Sequence, residues 1–382
     1  MFRSTSLARQ GEHRLEGRRV VPNNRVQLLI DGAEAFPAML DAIARAKQSI
    51  AMASYIFAGD TTGVRFRDAL IERVRAGIPV RLMIDGLGSF LTDEGFFAPF
   101  VEAGGSFIIY RRPSAWRPAW TLRRRDHRKM LVVDDEIGFI GGLNVGNNYA
   151  PLQWGGEGWH DMQAKVEGPA AREMTRIFNR TWRRLTGDNW DYRLAPATSR
   201  GEVSAQVLES RIAHRYVIQR AYVAAIERAR ETVRITNAYF VPTHSVQRAL
   251  GKAAARGVRV QLLLAGATDV PPVLYAARAL YQPLMERGIE VYEWHQQVLH
   301  AKSAVIDGCW CTIGSYNFNH RSLLHDLEAT VACVDATLGR ALDQQFEDDL
   351  MLSHSIDQAT WHRREPHEKI LEQIFYKLRV FL

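Results

Sequence analysis

One pattern of spaced residues occurs twice in this chain. Each copy has a histidine, a lysine two residues later and an aspartate seven residues after the histidine, with an apolar run before the aspartate. The apolar run predicts a β-strand, on which residues i and i+2 point to the same face. We therefore expect the histidine and lysine of each copy to face a common cleft. The two copies are His127, Lys129 and Asp134, and His300, Lys302 and Asp307.

The repetition extends beyond these triplets. Asn144 lies 17 residues after His127, and Asn317 lies 17 residues after His300. Residues 42–46 (AIARA) are echoed further along the chain by AIERA. A fixed internal period of this kind indicates tandem duplication of one structural unit, here of about 180 residues. Strands alternate with helices in the first copy, which predicts an α/β fold with mixed, mainly parallel sheets.

The chain of 382 residues has room for two such units. We expect a basic mobile tail before them, a linker rich in turn-forming residues between them, and an amphipathic segment after them. That last segment favours a helix docked on the core, with an interfacial membrane helix as the alternative. The expected ranges are a tail at 1–24, a first lobe at 25–186, a linker at 187–204, a second lobe at 205–350 and a C-terminal segment at 351–382.

The composition limits the classes of binding partner but does not select one of them. The formal net charge of +7 favours anionic surfaces, and both nucleic acid and acidic lipid qualify. No apolar run is long enough to predict a membrane span, and the N-terminus lacks the apolar core of a signal peptide. Three cysteines are too few for a disulfide framework, which favours a reducing compartment. Cys309 and Cys311 lack the second pair that a structural zinc site needs.

Two histidines, two lysines and two asparagines around one cleft suit a phosphodiester substrate. Ammonium and amide groups can hold the non-bridging oxygens and stabilise the charge of a pentavalent transition state. An imidazole can act as nucleophile or as general acid. This chemistry predicts no cofactor and no metal.

The duplicated pattern resembles that of the phospholipase D superfamily. Residues 139–144 (FIGGLN), 159–161 (WHD), 167–169 (EGP) and 237–242 (NAYFVP) are similar to the bacterial cardiolipin synthases, in particular to the short form without N-terminal transmembrane helices. The resemblance implies two tandem, pseudo-symmetric α/β/α lobes with one shared active-site cleft. It also implies a phosphatidyltransferase that moves a phosphatidyl group onto phosphatidylglycerol through a phosphohistidine. A phospholipid hydrolase, a nuclease and a non-enzymatic membrane adaptor remain alternatives.

The resemblance also implies roles for residues outside the two triplets. An acidic residue downstream of each motif should orient a histidine, and Asp161 and Glu328 fit, with Asp161 expected to orient His127. Local similarity aligns Asp161 with Asp326, which leaves the two carboxylates two positions out of register. His127 as nucleophile and His300 as acid and base follow the family's usual arrangement. The expected catalytic residues are the six residues of the two triplets, with Asp134 and Asp307 expected to hold the loop and strand geometry more than to touch substrate. The expected phosphate-binding residues are Lys129, Asn144, Lys302, Ser315 and Asn317.

The first copy carries a loop before His127 that the second lacks. Its arginines can pair with phosphates and its tryptophans favour the lipid–water interface, so we expect a lipid-contact element. The alternative is a solvated charged loop. The expected partners are anionic phospholipids at a membrane surface, with peripheral attachment to the inner face of the cell membrane from the cytoplasm, no nucleic acid and no required oligomer. The expected lipid contacts are Arg111, Arg112, Trp116, Arg117, Trp120, Arg123, Arg124 and Arg125.

Overall fold

The structure is a computed structural model that describes residues 15, 19–113, 124–188, 198–211 and 214–381. Most of the expected tail and the middle of the expected linker lie outside these ranges. So do four of the expected lipid contacts, Trp116, Arg117, Trp120 and Arg123.

The first lobe alternates strands and helices up to a pair of short strands that follow the first motif. Asp60 caps the helix Thr61–Arg75 by accepting a hydrogen bond from the backbone N–H of Gly63, and Gly187 ends the helix Pro169–Thr186 in the left-handed conformation. Its elements are β1 (Val21–Ile30), α1 (Asp31–Ala44), β2 (Ile50–Ser54), α2 (Thr61–Arg75), β3 (Val80–Asp85), α3 (Ala98–Glu102), β4 (Ser106–Tyr110), β5 (Met130–Val133), β6 (Ile137–Gly141), β7 (Met162–Glu167) and α4 (Pro169–Thr186).

The second lobe repeats this order and adds elements at its end. Its elements are β8 (Val203–Ser210), α5 (Val217–Arg228), β9 (Thr232–Asn237), α6 (His244–Ala255), β10 (Arg259–Ala265), α7 (Pro271–Arg278), α8 (Tyr281–Met285), β11 (Glu290–Trp294), β12 (Lys302–Ile306), β13 (Trp310–Gly314), α9 (His320–Leu324), β14 (Glu328–Val334), α10 (Ala336–Met351), β15 (Ser353–Ser355), α11 (Gln358–His362) and α12 (Pro366–Lys377). Because β1 begins at Val21, residues 21–24 belong to a strand and not to the expected tail.

The strands of both lobes form one mixed sheet of 15 strands within the described residues, in the order β15-β11-β10-β9-β12-β13-β14-β8-β1-β7-β6-β5-β2-β3-β4. Parallel pairing is confined to β2 with β3, β3 with β4, β9 with β10 and β10 with β11. The other ladders are antiparallel, so the expectation of mainly parallel sheets is wrong. Part of the antiparallel pairing is local, because short turns join β5 to β6 and β12 to β13, and a short turn permits only antiparallel pairing. The other antiparallel ladders join segments that are distant in the chain.

Four apolar cores hold these layers together, three of them large. One packs α1 and α2 of the first lobe on its sheet, and another packs α5, α6 and α7 of the second lobe on its sheet. The third core draws side chains from both lobes, including Met174 of α4 and Phe346 of α10, together with β6, β7, β13 and β14. A core shared in this way fixes the two motifs relative to each other.

Candidate active site

The two motif histidines lie in one cavity between the lobes. His127 precedes β5, His300 precedes β12, and their exposed fractions are 8% and 4%. The cavity has a volume of about 460 Å³ and is lined by both histidines and by both motif asparagines, Asn144 and Asn317. The common cleft that the duplicated pattern predicts is therefore present.

Each histidine is held by a carboxylate of the opposite lobe. His127 Nδ1 lies 3.0 Å from Glu328 Oε1, and His300 Nδ1 lies 2.6 Å from Asp161 Oδ2. The expectation that Asp161 orients His127 is therefore wrong. The exchange arises because short parallel bridges run between the lobes, one joining Asp126 to Leu327 next to Glu328.

The strand register also corrects the internal alignment of the two carboxylates. Gly141 pairs with Gln163 in the first lobe, and the equivalent Gly314 pairs with Thr330 in the second. Each carboxylate lies two residues before Gln163 or Thr330, so the two occupy equivalent positions. The alignment that placed them two positions apart is wrong, because the first lobe has a longer loop before β7.

The two lysines are buried beneath the histidines. Lys129 Nζ donates to the backbone oxygen of His127 at 2.8 Å, and Lys302 Nζ donates to the backbone oxygen of His300. Burial lowers the pKa of Lys129 to about 7 and the pKa of Lys302 to about 8. An entering anion would favour the charged form of both ammonium groups.

The pKa values of the two imidazoles and of the two carboxyl groups shift in opposite directions. Burial, followed by the charge of the two lysines, holds the pKa of His127 and of His300 well below its usual value. Burial raises the pKa of Asp161 to about 7 and that of Glu328 to about 8. A proton on either histidine–carboxyl pair is thus held by the carboxyl, and the imidazole is neutral. A neutral imidazole is the nucleophilic form.

Ser315 lies behind the site and not on the substrate side. Its hydroxyl is fully buried and donates to Glu328, as does the hydroxyl of Ser322 at 2.6 Å from Oε1. The expectation that Ser315 binds phosphate is therefore corrected: its hydroxyl proton is used on the carboxylate. Gly142 holds the equivalent position in the first lobe, where an added Cβ would lie 2.1 Å from Asp161 Oδ1. Ser322 was not foreseen, although it follows Asn317 by only five residues.

The motif asparagines line the cavity with different partners. Asn144 Oδ1 accepts from the backbone N–H of Ile56 at 3.0 Å, and Asn144 Nδ2 donates to the hydroxyl of Tyr149 at 2.7 Å. The backbone N–H of Asn317 donates to the hydroxyl of Ser322 at 3.4 Å. Their contact with phosphate stays a prediction.

Three tyrosines complete the walls, and none was included in the predicted site. Tyr55 packs edge-on against His127 at 4.8 Å, and Tyr149 packs edge-on against His300 at 5.3 Å between ring centroids. Tyr239 occupies the position in the second lobe that Tyr55 occupies in the first. The sequence carried this signal, because Tyr55 and Tyr239 follow equivalent strands of the repeat.

The motif aspartates lie at the far ends of β5 and β12 and do not reach the cleft. Asp134 accepts from the backbone N–H groups of residues 47–49, and Asp307 accepts from those of residues 230–232, at 2.7 to 2.9 Å. Both adopt positive φ in a tight turn, which aspartate tolerates better than most residues. Their inclusion among the catalytic residues is corrected: they fix the turn after each motif strand.

The described arginines of the lipid-contact prediction divide into two groups. Arg125 is fully buried, where its Nη1 donates to the backbone oxygen of Arg111 at 2.8 Å and pairs with Asp85. It cannot reach a membrane surface, so its assignment as a lipid contact is wrong. Arg112 and Arg124 are exposed, and Arg112 pairs with Glu94. The lipid contacts of Arg111, Arg112 and Arg124 stay predictions.

Two α/β lobes that place paired histidines in a shared cleft, each above a buried lysine, define a protein of the phospholipase D superfamily. The family model "Cardiolipin synthase, PLD-like domain" matches residues 39–182 and 222–350. The chain belongs to this cardiolipin synthase family of enzymes.

Individual relatives agree with this assignment. Cardiolipin synthase B of Escherichia coli K12 is 34% identical over 86% of this chain and 79% of its own length. Cardiolipin synthase 2 of Bacillus anthracis is 31% identical over 93% of this chain and 70% of its own length. The crystal structure of phosphatidylserine synthase from Haemophilus influenzae Rd KW20 has the same fold, with a TM-score of 0.74, 15% identity and coverage of 94% of this chain and 95% of that one. Among the described residues, no helix has both the length and the apolar character needed to span a membrane.

Proposed function

We propose that the protein is a cardiolipin synthase that transfers a phosphatidyl group from one phospholipid to the headgroup hydroxyl of phosphatidylglycerol. The observation that carries this proposal is the pair of cross-lobe contacts, His127 with Glu328 and His300 with Asp161, at one cavity above two buried lysines. Family membership supports a phospholipid substrate, because the matched family and the relatives from Escherichia coli and Bacillus anthracis are cardiolipin synthases.

In the first step one imidazole Nε2 attacks phosphorus while the bond from phosphorus to the headgroup oxygen breaks. The other imidazole, protonated, gives its proton to the departing alcohol. The raised pKa values of Glu328 and Asp161 support this role, since the carboxyl can pass a proton to its histidine when the phosphate anion enters. The product is a phosphatidyl-histidine, with its phosphate charge facing Lys129 and Lys302.

In the second step the hydroxyl of the acceptor gives its proton to the imidazole that acted as acid. Its oxygen attacks phosphorus, the phosphorus–nitrogen bond breaks, and the first imidazole returns to its neutral form. A lipid alcohol yields cardiolipin, whereas water yields phosphatidic acid. Hydrolysis uses the same side chains, so the phospholipase remains the second candidate activity.

The substrates lie in a bilayer, so we also propose peripheral attachment to the inner face of the cell membrane. Two large apolar residues are exposed at or near the cavity. Leu91, 97% exposed, follows the cavity residues Leu87 and Gly88 in the chain, and Phe381, 81% exposed, lines the cavity itself. Exposed apolar side chains beside a lipid-binding cleft favour interfacial contact.

The decisive test incubates purified protein with phosphatidylglycerol vesicles and separates the lipids. Cardiolipin with released glycerol is expected. Phosphatidic acid alone would identify a hydrolase, and unchanged lipid with cleavage of an oligonucleotide would identify a nuclease. His127→Ala and His300→Ala serve as matched inactive controls, each expected to lower turnover by about 10³-fold.

A further inference from the structure

The reaction centre is nearly two-fold symmetric, although its two substrates are not equivalent. Each lobe contributes one histidine, one lysine, one carboxylate and one tyrosine in equivalent positions. In the proposed reaction the donor presents a single phosphodiester, whereas the acceptor carries a phosphodiester of its own beyond the attacking hydroxyl. Groups that distinguish the acceptor must therefore lie outside the symmetric centre.

The cavity has one cationic side chain beyond that centre. Among the cavity-lining residues in the described ranges, Arg321 is the one arginine or lysine. It lines the same cavity as His127, and its positive charge contributes to the lowered pKa of His127 after burial and the two lysines. A guanidinium recognises a phosphate through paired N–H groups.

Arg321 is positioned by a short, well-anchored helix. Asn319 caps α9 by accepting from the backbone N–H of Ser322 at 2.9 Å, and Ser322 in turn holds Glu328. Nε of Arg321 pairs with Asp326 at 3.1 Å. The same helix turn thus carries both Ser322, which contacts the carboxylate that orients His127, and Arg321 of the cavity wall.

The equivalent position of the first lobe carries no cation. The 17-residue spacing places Asn148 where the second lobe has Arg321, and Asn148 Nδ2 donates to Glu157 at 3.0 Å outside the cavity lining. The cation therefore breaks the two-fold symmetry of the cavity. Asp326, which also lines the cavity, pairs with Arg321, so the asymmetry is a guanidinium held by a carboxylate and not a net positive charge. A guanidinium has five N–H donors, more than one carboxylate pair uses, so it can hold a phosphate as well.

We propose that Arg321 forms a second phosphate subsite, which binds the phosphodiester of the acceptor lipid while its hydroxyl attacks the phosphatidyl-histidine. This inference rests on the proposed transferase function and deepens it. It assigns to Arg321 the preference for an anionic lipid acceptor over a neutral alcohol or water.

The test is a competition between acceptors. Wild-type protein and Arg321→Gln are incubated with phosphatidylglycerol vesicles in the presence of ethanol, and cardiolipin, phosphatidylethanol and phosphatidic acid are quantified together. The ratio of cardiolipin to phosphatidylethanol should fall at least about tenfold in Arg321→Gln, as expected for the loss of a charged hydrogen-bonded contact. Arg321→Lys, which keeps the charge, should recover part of the ratio. Arg45→Gln, which removes an exposed partner of Asp41, is the matched control.

The outcomes separate this inference from the proposed function. An unchanged ratio in Arg321→Gln, including an equal loss of both products, overturns the acceptor subsite. A wild-type protein that forms neither cardiolipin nor phosphatidylethanol overturns the transferase itself. Cleavage of an oligonucleotide that depends on Arg321, without lipid turnover, would reassign the second phosphate to nucleic acid.

Discussion

At the scale of single residues, the site depends on two carboxylates, each of which contacts the histidine of the opposite lobe. Glu328 receives two serine hydroxyls in addition to His127, whereas Asp161 accepts from the backbone N–H of Met162 in addition to His300. These bonds fix each carboxylate, and the carboxylate fixes the ring and tautomer of its histidine. Glu328 and Asp161 act through the histidines and are positioning residues.

Replacing either carboxylate by its amide should therefore disable the histidine of the other lobe. We expect Glu328→Gln and Asp161→Asn each to lower kcat by about 10²-fold or more, because the imidazole loses its proton partner and its orientation. Steady-state assays on vesicles measure the loss. Glu328→Asp should recover part of the activity, and Glu94→Gln, at an exposed ion pair with Arg112, should have little effect. Wild-type turnover in Glu328→Gln would contradict the assignment.

The buried lysines predict an unusual pH dependence. Lys129 and Lys302 bind phosphate only when protonated, and burial lowers their pKa values to about 7 and about 8. We therefore expect kcat/KM to fall as pH rises through about 7 to 8, far below the pKa of about 10.4 of a free lysine. Circular dichroism at each pH checks that the fold persists. An alkaline limit near 10 would show that neither lysine is desolvated in the working enzyme.

Residue identity was predictable from the sequence where a local pattern repeated, and pairing across the lobes was not. The spacing of His127, Lys129 and Asn144 returns unchanged in the second copy, which placed three residue types in one cleft. The partner of His127 depends on how the lobes dock, and no local pattern encodes that geometry. The two carboxylates were misaligned for a different reason. The local similarity of residues 160–161 to residues 325–326 (both His-Asp) outweighed the longer loop before β7.

At the scale of elements, α12 agrees only in part with the expectation of a helix docked on the core, and the interfacial alternative stays a prediction. The predicted apolar stripe was expected to dock on the core, but Ile370, Ile374 and Leu378 are exposed. The helix packs on α7 through Phe375, whose ring stacks on Tyr275 at 5.7 Å, and its buried residue is Glu372. Amphipathic spacing alone could not show which face docks. The chain after α12 then reaches the cavity mouth, where Phe381 lies.

The exposed apolar residues Leu91 and Phe381 should be needed for binding to membranes. We expect Leu91→Asp and Phe381→Asp each to weaken binding to phosphatidylglycerol vesicles by about tenfold, and their combination more strongly, because a charge is costly in the acyl region. Vesicle flotation measures binding. Val101→Asp is the matched control, since Val101 is half exposed one turn before β4, at the end of the strand farthest from the cavity. Equal effects at Val101 and Leu91 would contradict a localised docking surface.

At the scale of the whole molecule, the duplication fixed the fold class but not the way in which the lobes join. The internal period predicted two α/β units because each copy repeats the same strands and helices. Pairing of β1 with β8 joins the strands of the two lobes into one continuous sheet, and α4 and α10 share a core. Both features depend on contacts between distant segments. Such contacts depend on the shape and burial of whole surfaces, and a repeat in the sequence does not indicate which surfaces pack together.

A buried histidine outside the active site links the two lobes. His160 lies between Asp31 of the first lobe, 2.8 Å from Nδ1, and Asp349 of the second, 3.0 Å from Nε2, and its ring stacks on Trp294. Burial opposes its charge, but these two carboxylates prevail and raise the pKa of His160 to about 10. The imidazolium is thus an ionic clamp next to Asp161, and it keeps both lobes in register.

Removing this clamp should destabilise the docked lobes. We expect His160→Gln to lower the free energy of unfolding by about 3 kcal/mol at pH 6, because two buried carboxylates lose their cation. The folded pKa is raised, so the contribution of His160 is complete below its unfolded pKa of about 6.5, declines above it and is lost as pH rises through about 10. Urea unfolding of wild type and variant at several pH values measures this difference, with exposed His214→Gln as control. A difference that stays constant up to pH 10 would show that His160 stabilises by packing against Trp294 and not by charge.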